Sequence, residues 1–190
     1  MKSLIKSLKA FLFFTVITGI IYPLFVTGIA QLVFPAKANG SLIIKDNRIT
    51  GSELIGQQFE SAKYFTSRPS SISYNPLPSG GSNYGLTNSI LKQQVDERRQ
   101  RFVQFNQLDS GIAVPAEMLF ASASGLDPHI SIQAALLQVN RVARARDFND
   151  IQKLKLSECV NRLTEEPQIM VLGEERINVL LLNLEVDRIK

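Results

Sequence analysis

Residues 10–36 carry no charged side chain, and residues 11–34 are mostly Phe, Leu, Ile and Val. As a helix that stretch is about 36 Å long, against a hydrocarbon core of about 30 Å, so it predicts a membrane span with some tilt. Lys2, Lys6 and Lys9 precede it, while Lys37, Lys45 and Arg48 follow more sparsely and mixed with Asp46. The positive-inside rule then divides the chain into a cytoplasmic tail (1–9), a transmembrane helix (10–35) and one extracytoplasmic domain (36–190). A cleavable signal peptide competes with this reading, because Ala36-Lys37-Ala38 fits the small-x-small cleavage pattern. The apolar stretch exceeds the usual core of about 7–15 residues and holds Pro23 at mid-span, which favours a retained anchor.

Within the span, Thr15, Gly19, Pro23, Thr27 and Gln31 recur every four residues and form one slowly winding stripe of small or polar positions. Pro23 cannot donate to the carbonyl of Gly19 and would crowd it. Small residues at this spacing let a second helix approach closely in a bilayer, and a polar side chain such as Gln31 needs a partner there. The stripe therefore predicts a packing interface, with a lipid-facing tether as the plainer alternative.

After the span the patterning shortens. Residues 41–44 and 48–50 flank Lys45-Asp46-Asn47 and predict a β-hairpin. Residues 61–84 are rich in Ser, Gly, Pro and aromatic side chains, which excludes a regular helix. A loop this long in a compact domain is more often functional than incidental, and Tyr64, Phe65, Tyr74 and Tyr84 give it something to bury. Thr87 or Asn88 caps a long helix with Ile90, Leu91, Val95, Phe102 and Phe105 on its apolar side and a charge run on the other. Pro115 opens a short turn through Phe120. Ser131 caps a helix bearing Ile132, Ala135, Leu136, Val139, Val142 and Ala143. Asn149 and Gln152 form a capping box for the next, with Ile151, Leu154, Val160 and Leu163 inward. Residues 169–172 and 176–177 predict a second hairpin about Gly173-Glu174, and residues 179–186 read as a final helix. The fold class is α+β: one transmembrane helix, then a single domain with two β-hairpins and about four helices.

Charge adds one restriction. The formal net charge is +4, but removing the three N-terminal lysines leaves 18 basic against 17 acidic residues. The excess belongs to the membrane flank, and no basic surface remains for a nucleic acid. Cys159 is the only cysteine and His129 the only histidine. Intramolecular disulfides and cysteine metal sites are therefore excluded, and zinc sites, histidine relays and Cys/His pairs need residues this chain mostly lacks.

Two stretches invite a catalytic reading. Ser79-Gly80-Gly81-Ser82-Asn83 precedes a helix as a phosphate loop would, yet it has no Gly-Lys-Ser/Thr and no strand before it. His129 follows the turn Asp127-Pro128, with Ser122, Ser124 and Ser131 nearby, but no Gly-x-Ser-x-Gly elbow accompanies them. A structural or interface histidine is favoured over a general base.

The loop motifs themselves are distinctive. Asn39-Gly40-Ser41-Leu42-Ile43, Leu54-Ile55-Gly56-Gln57, Tyr64-Phe65 with Arg68-Pro69-Ser70, Tyr74-Asn75-Pro76 and Ser79-Gly80-Gly81-Ser82-Asn83 appear in that order. Ala123-Ser124-Gly125-Leu126-Asp127-Pro128-His129-Ile130, then Gln138-Val139 with Arg141-Val142-Ala143, then Asn178-Val179-Leu180 with Leu182-Asn183-Leu184 complete the series. This ordered set resembles the C subunit of the Kdp potassium-transporting ATPase along the whole chain. Ile132, Leu86 and Glu175 stand where that family commonly has Pro, which bears on local loop geometry.

The resemblance implies a non-catalytic accessory subunit of a bacterial ATP-driven potassium importer in the cytoplasmic (inner) membrane. Its partners would be a channel-like A subunit and a P-type ATPase B subunit, besides the lipid bilayer. Its helix would pack beside the A subunit and its domain would cover the outer mouth of the ion path. Arg68, Asn75, Asn83, Asp127, His129 and Arg141, with the membrane stripe, are the expected interface residues. The family is also credited with raising the ATP affinity of the B subunit through a glutamine, placed here at Gln138. No cofactor is expected on the chain alone, ATP being shared with the B subunit. The derived topology sets Gln138 on the side opposite cytoplasmic nucleotide. A membrane-tethered extracytoplasmic hydrolase and an extracytoplasmic binding module are the alternatives.

Overall fold

The computed structural model describes every residue except Met1, Asp46, Met170 and Lys190. The chain divides into two compact units, with the break between Ser52 and Glu53.

In the first unit, α1 (Lys2–Val16) continues through a π turn at Ile17–Ile21 into α2 (Tyr22–Val33). The continuous helix Lys2–Val33 is long and apolar enough to cross a membrane. The π turn sits where Pro23 requires an adjustment. With no N–H for Gly19 and a ring that would crowd its carbonyl, Pro23 disfavours a regular turn. The Tyr22 N–H instead reaches back five residues to Ile17 O, which widens the turn. Thr15 and Thr18 donate to the carbonyls of Phe11 and Phe14 at 2.8 and 2.7 Å. The partner that Gln31 needs comes from its own chain. The short α3 (Pro35–Ala38) brings Asn39 back, and the two amides exchange hydrogen bonds at 3.2 Å in both directions.

β1 (Leu42–Lys45) and β2 (Arg48–Ser52) form the first predicted hairpin, from Leu42↔Ser52 to Lys45↔Arg48 with a bulge between Ile43 and Ile44. Asp46 of the predicted turn lies outside the described residues, and Asn47 takes the left-handed conformation at φ 61°.

The second unit has four α-helices: α4 (Ser89–Asn106), α5 (Ile132–Ala145), α6 (Asp150–Arg162) and α7 (Val179–Val186). Asn88, Ser131, Asn149 and Asn178 each accept a first-turn N–H at the respective N-termini, and Asn149 with Gln152 completes the capping box. A 3-10 turn, Ala116–Met118, follows Pro115. Ile132 takes the first position of α5, where Pro would also be accepted, so its departure from the family pattern leaves the Ser131 cap intact. Three short strands make an antiparallel sheet in the order β3 (His129–Ile130), β5 (Arg176–Asn178), β4 (Thr164–Glu165). Ile130 and Ile177 turn to the core from one face, at 2% and 0% exposure, joining Phe65, Val142, Leu156, Val160 and Leu182.

Three expectations change. The second hairpin exists, but its first arm is Thr164–Glu165, which pairs with Ile177 and Arg176. Gln168 and Leu172 form only an isolated bridge, and Met170 between them lies outside the described residues. Residues 169–172 are apolar but exposed where described, so their strand-like composition misled. On α6, Ile151 and Leu154 are 66% and 65% exposed, whereas Leu156, Cys159 and Val160 are buried. The helix offers two apolar stripes, and the C-terminal one is the one the core takes up. Ile90 on α4 and Leu136 on α5 are likewise exposed.

The α6 assignment predicts that Leu156→Ala lowers stability by about 2–5 kcal/mol in urea denaturation. Leu154→Ala, on the solvated stripe, should change it by no more than about 0.5 kcal/mol.

Candidate functional site

The polar turn motifs that are scattered along the sequence meet in the second unit. The segment 53–84 and the loop 122–129 are built against one another by backbone bonds: Gly56 N–H to Leu126 O (2.7 Å), Gly80 N–H to Ser124 O (3.1 Å) and Ser122 N–H to Pro69 O (3.3 Å). Two glycines are required for that approach. A Cβ on Gly56 would stand 2.7 Å from Asp127 O, and one on Gly125, at φ +69°, would stand 2.4 Å from Ile72 Cγ1. The Gly80 amide is thereby committed to a carbonyl, which removes it from any phosphate cradle.

At the seam, Arg68 Nη1 donates to Asp127 Oδ2 at 2.6 Å. The other carboxylate oxygen of Asp127 accepts the His129 backbone N–H at 3.0 Å and lies 3.3 Å from His129 Nδ1. His129 Nε2 stands 3.9 Å from Glu165 Oε1, diagonally across β5, and Glu165 in turn accepts from Arg176 Nε at 3.0 Å. Tyr74 donates its hydroxyl to Arg68 O. Burial pushes the Tyr74 phenol up to about 12. Burial alone would raise the Asp127 carboxyl, but the His129 ring and amide and the Arg68 guanidinium outweigh it and hold Asp127 at about 2.

A second polar network lies beneath, centred on α5. Gln138 is fully buried. Its Oε1 accepts from Thr66 N–H (2.8 Å), Thr66 Oγ1 (2.9 Å) and Arg141 Nη2 (2.9 Å), and its Nε2 donates to Ala134 O (3.2 Å) and Thr66 O (3.4 Å). Arg141, 4% exposed, donates Nη1 to Ala62 O (2.6 Å) and Tyr64 O (2.9 Å), and Nε to Asn106 Oδ1 (2.8 Å). Its guanidinium also lies over the Phe105 ring, 4.4 Å from the centroid. All its hydrogen-bond acceptors are neutral, and burial pulls its pKa down to about 10, leaving it charged at neutral pH. Asn183 of α7 clamps Phe65 from the other side, accepting its N–H at 2.8 Å and donating to its carbonyl at 2.9 Å.

Of the predicted interface residues, Arg68, Asp127 and His129 therefore form one cluster, while Arg141 belongs with Gln138 in the interior. Asn75 is exposed and accepts the Leu77 N–H (3.1 Å) in an Asx turn; Asn83 is exposed at φ 55°. Thr15, Gly19, Pro23, Thr27 and Gln31 lie in the first unit. Asn106 went unnoticed in the sequence, and Asn183 stood out only as part of a motif, with no role attached to it. Their signal was there: each is a lone amide on an otherwise apolar helical face, and such a group requires a buried partner. For a hydrolase the arrangement offers little. The hydroxyls of Ser124 and Ser131 accept turn and cap N–H groups, and the His129 ring faces two carboxylates.

An apolar N-terminal helix long enough to cross a membrane, followed by a loop-rich α+β domain held by amide and guanidinium bonds, fits a single-pass membrane protein. The family described as "K+-transporting ATPase, c chain" (KdpC) matches residues 4–188. Relatives named potassium-transporting ATPase KdpC subunit agree along nearly the full length. The Leptospira interrogans protein is 44% identical over 95% of this chain and 91% of its own. That of Photorhabdus laumondii is 46% identical over 97% and 95%, and that of Geobacter sulfurreducens 48% over 98% of each. The chain belongs to the KdpC family of K+-transporting ATPase subunits.

Because Asp127 is held below its ordinary value, its contribution to stability is fully present above about pH 4 and is lost as pH falls toward about 2. Asp127→Asn should lower stability at pH 7 by about 1–3 kcal/mol and flatten the acid limb between pH 4 and 2, read by denaturant midpoints across that range. Arg141→Ala should be more severe, about 3–5 kcal/mol, since it strands Asn106 Oδ1 and two backbone carbonyls together.

Proposed function

We propose that the chain is a non-catalytic accessory subunit of a potassium-importing ATPase, anchored by one helix with its N-terminus in the cytoplasm and its domain outside the bacterial inner membrane. The observation that carries this reading is the extent of the family match, which includes the anchor and nearly all of the domain. The N-terminal Lys2, Lys6 and Lys9 support the orientation. The stripe Thr15, Gly19, Pro23 and Thr27 supports helix packing against a channel-like A subunit. Open space surrounds the Gly19 and Gly28 Cβ positions, leaving room for another backbone to approach. In this reading the loop cluster about Arg68, Asp127, Asn75 and Asn83 contacts the A subunit and covers the outer mouth of the ion path, which stabilises the assembly with the ATPase B subunit.

A nucleotide role for Gln138 is less well supported. Both its amide atoms are engaged by Thr66, Ala134 and Arg141, so contact with ATP requires the interior to open. Gln138→Ala should therefore lower the domain's own stability by about 1–3 kcal/mol, more than it alters the ATP dependence of the assembled pump.

The test is co-purification of the tagged full-length chain with the large subunits of its ATPase, combined with reporter fusions at residue 40 and at the C-terminus. Expected are recovery of both partners, external reporters, and weaker recovery in detergent with Gly19→Leu. A cytoplasmic C-terminal reporter, or turnover by the isolated chain that His129→Ala abolishes, would defeat the proposal.

A further inference from the structure

A cavity of about 310 Å³ separates the loop 58–74 from one side of α4. Two features of its wall point to a ligand. Arg68 lines it with its guanidinium pinned through Nη1 to Asp127, while its Nε is buried and has no hydrogen-bond partner. That donor belongs to the side edge of the guanidinium, the fork that matches a carboxylate or phosphate. Arg98 and Arg101, three residues apart on α4, line the cavity as well. Arg98 is fixed by bonds to Leu119 O and Gln94 Oε1, and Arg101 is exposed with no hydrogen bond or ion pair among the described residues.

The apolar part of the wall is Phe59 and Pro69 from the loop, with Phe102, Phe105 and Met118 across from them. Most lining hydroxyls are already committed, Thr66 to Gln138, Tyr74 to Arg68 O, Ser67 to Gln57 O and Ser70 to the Ile72 and Tyr74 N–H groups. Glu60, held by Gln58 at 2.7 Å, adds one negative charge to the lining, which disfavours a polyanion. Free donors on guanidinium groups, aromatic walls and a volume at the lower end of small-molecule pockets select for a compact ligand.

We infer that this cavity is a binding site for a small amphiphilic oxyanion, one carboxylate or phosphate group carried on an apolar body. The oxyanion takes the Arg68 fork and Arg101, and the apolar body lies against Phe102 and Phe105. Two sources share this chemistry, a dissolved organic acid and the headgroup of an anionic phospholipid. The site differs from the Gln138 network, whose polar atoms are saturated within the chain.

The experiment is titration calorimetry on the full-length chain in a neutral maltoside detergent. Probes are benzoate, phenyl phosphate, the neutral analogue benzamide, and a soluble dihexanoyl phosphatidylglycerol. At least one anion should bind with a Kd of about 1 mM or tighter, and benzamide should bind at least about tenfold more weakly. Arg101→Gln removes an exposed charge, so it should leave the ligand-free melting temperature unchanged while weakening the anion about tenfold. Arg68→Gln should weaken it further. Binding confined to the phosphatidylglycerol assigns the lipid source, and binding of the phenyl anions the dissolved one. Benzamide binding within about tenfold of the anions, no anion with a Kd of about 1 mM or tighter, or affinity indifferent to Arg101→Gln would overturn the inference.

Discussion

A single buried guanidinium organises the domain. Arg141 donates to Ala62 O and Tyr64 O, to Asn106 at the end of α4 and to its helix neighbour Gln138. Segment 53–84 has no regular secondary structure, so its backbone groups cannot satisfy one another as a helix or sheet would. Arg141, Gln138 and Asn183 supply that need from α5 and α7, and Phe65 is carried into the core as a result, with no exposure. Removing a neutral polar partner from such a network leaves several stranded groups at once, which is why the interior tolerates amides and a charge so far from water.

The seam above depends on the same arrangement. With Tyr64 to Thr66 fixed, Arg68 stands within reach of Asp127, and Asp127 in turn fixes the turn that starts β3. Val179 N–H bonds Pro128 O, so that turn also sets where α7 begins. Loop, strand and helix are thus positioned by a few charged and amide groups, with close packing at Gly56 and Gly125 leaving little freedom for alternatives.

Much of this was legible in the sequence, and the parts that were not have physical causes. Helix starts were readable because Asn88, Ser131 and Asn149 act through local geometry, within three residues of themselves. The long apolar helix Lys2–Val33 was readable from length and composition alone. The inward face of α6 was half readable: Val160 and Leu163 do pack on the core, but Ile151 and Leu154 have as strong a claim as Leu156 until α5 and α7 choose between them. Strands of two or three residues, such as His129–Ile130, carry too few side chains for alternation to register. At the site, motif order brought Arg68, Asp127 and His129 to attention, but only the fold separates them from the saturated interior pair Gln138 and Arg141.

The span of these contacts also governs when the domain can form during synthesis. Arg141 reaches back 79 residues to Ala62, and Asn183 reaches back 118 to Phe65. Segment 53–84 can make its local bonds as soon as it is synthesised, but those to Gln138, Arg141 and Asn183 must wait for α5 and α7. Until then Phe65 has no core to enter, and the long separation of these contacts in the chain makes their formation a late step in folding.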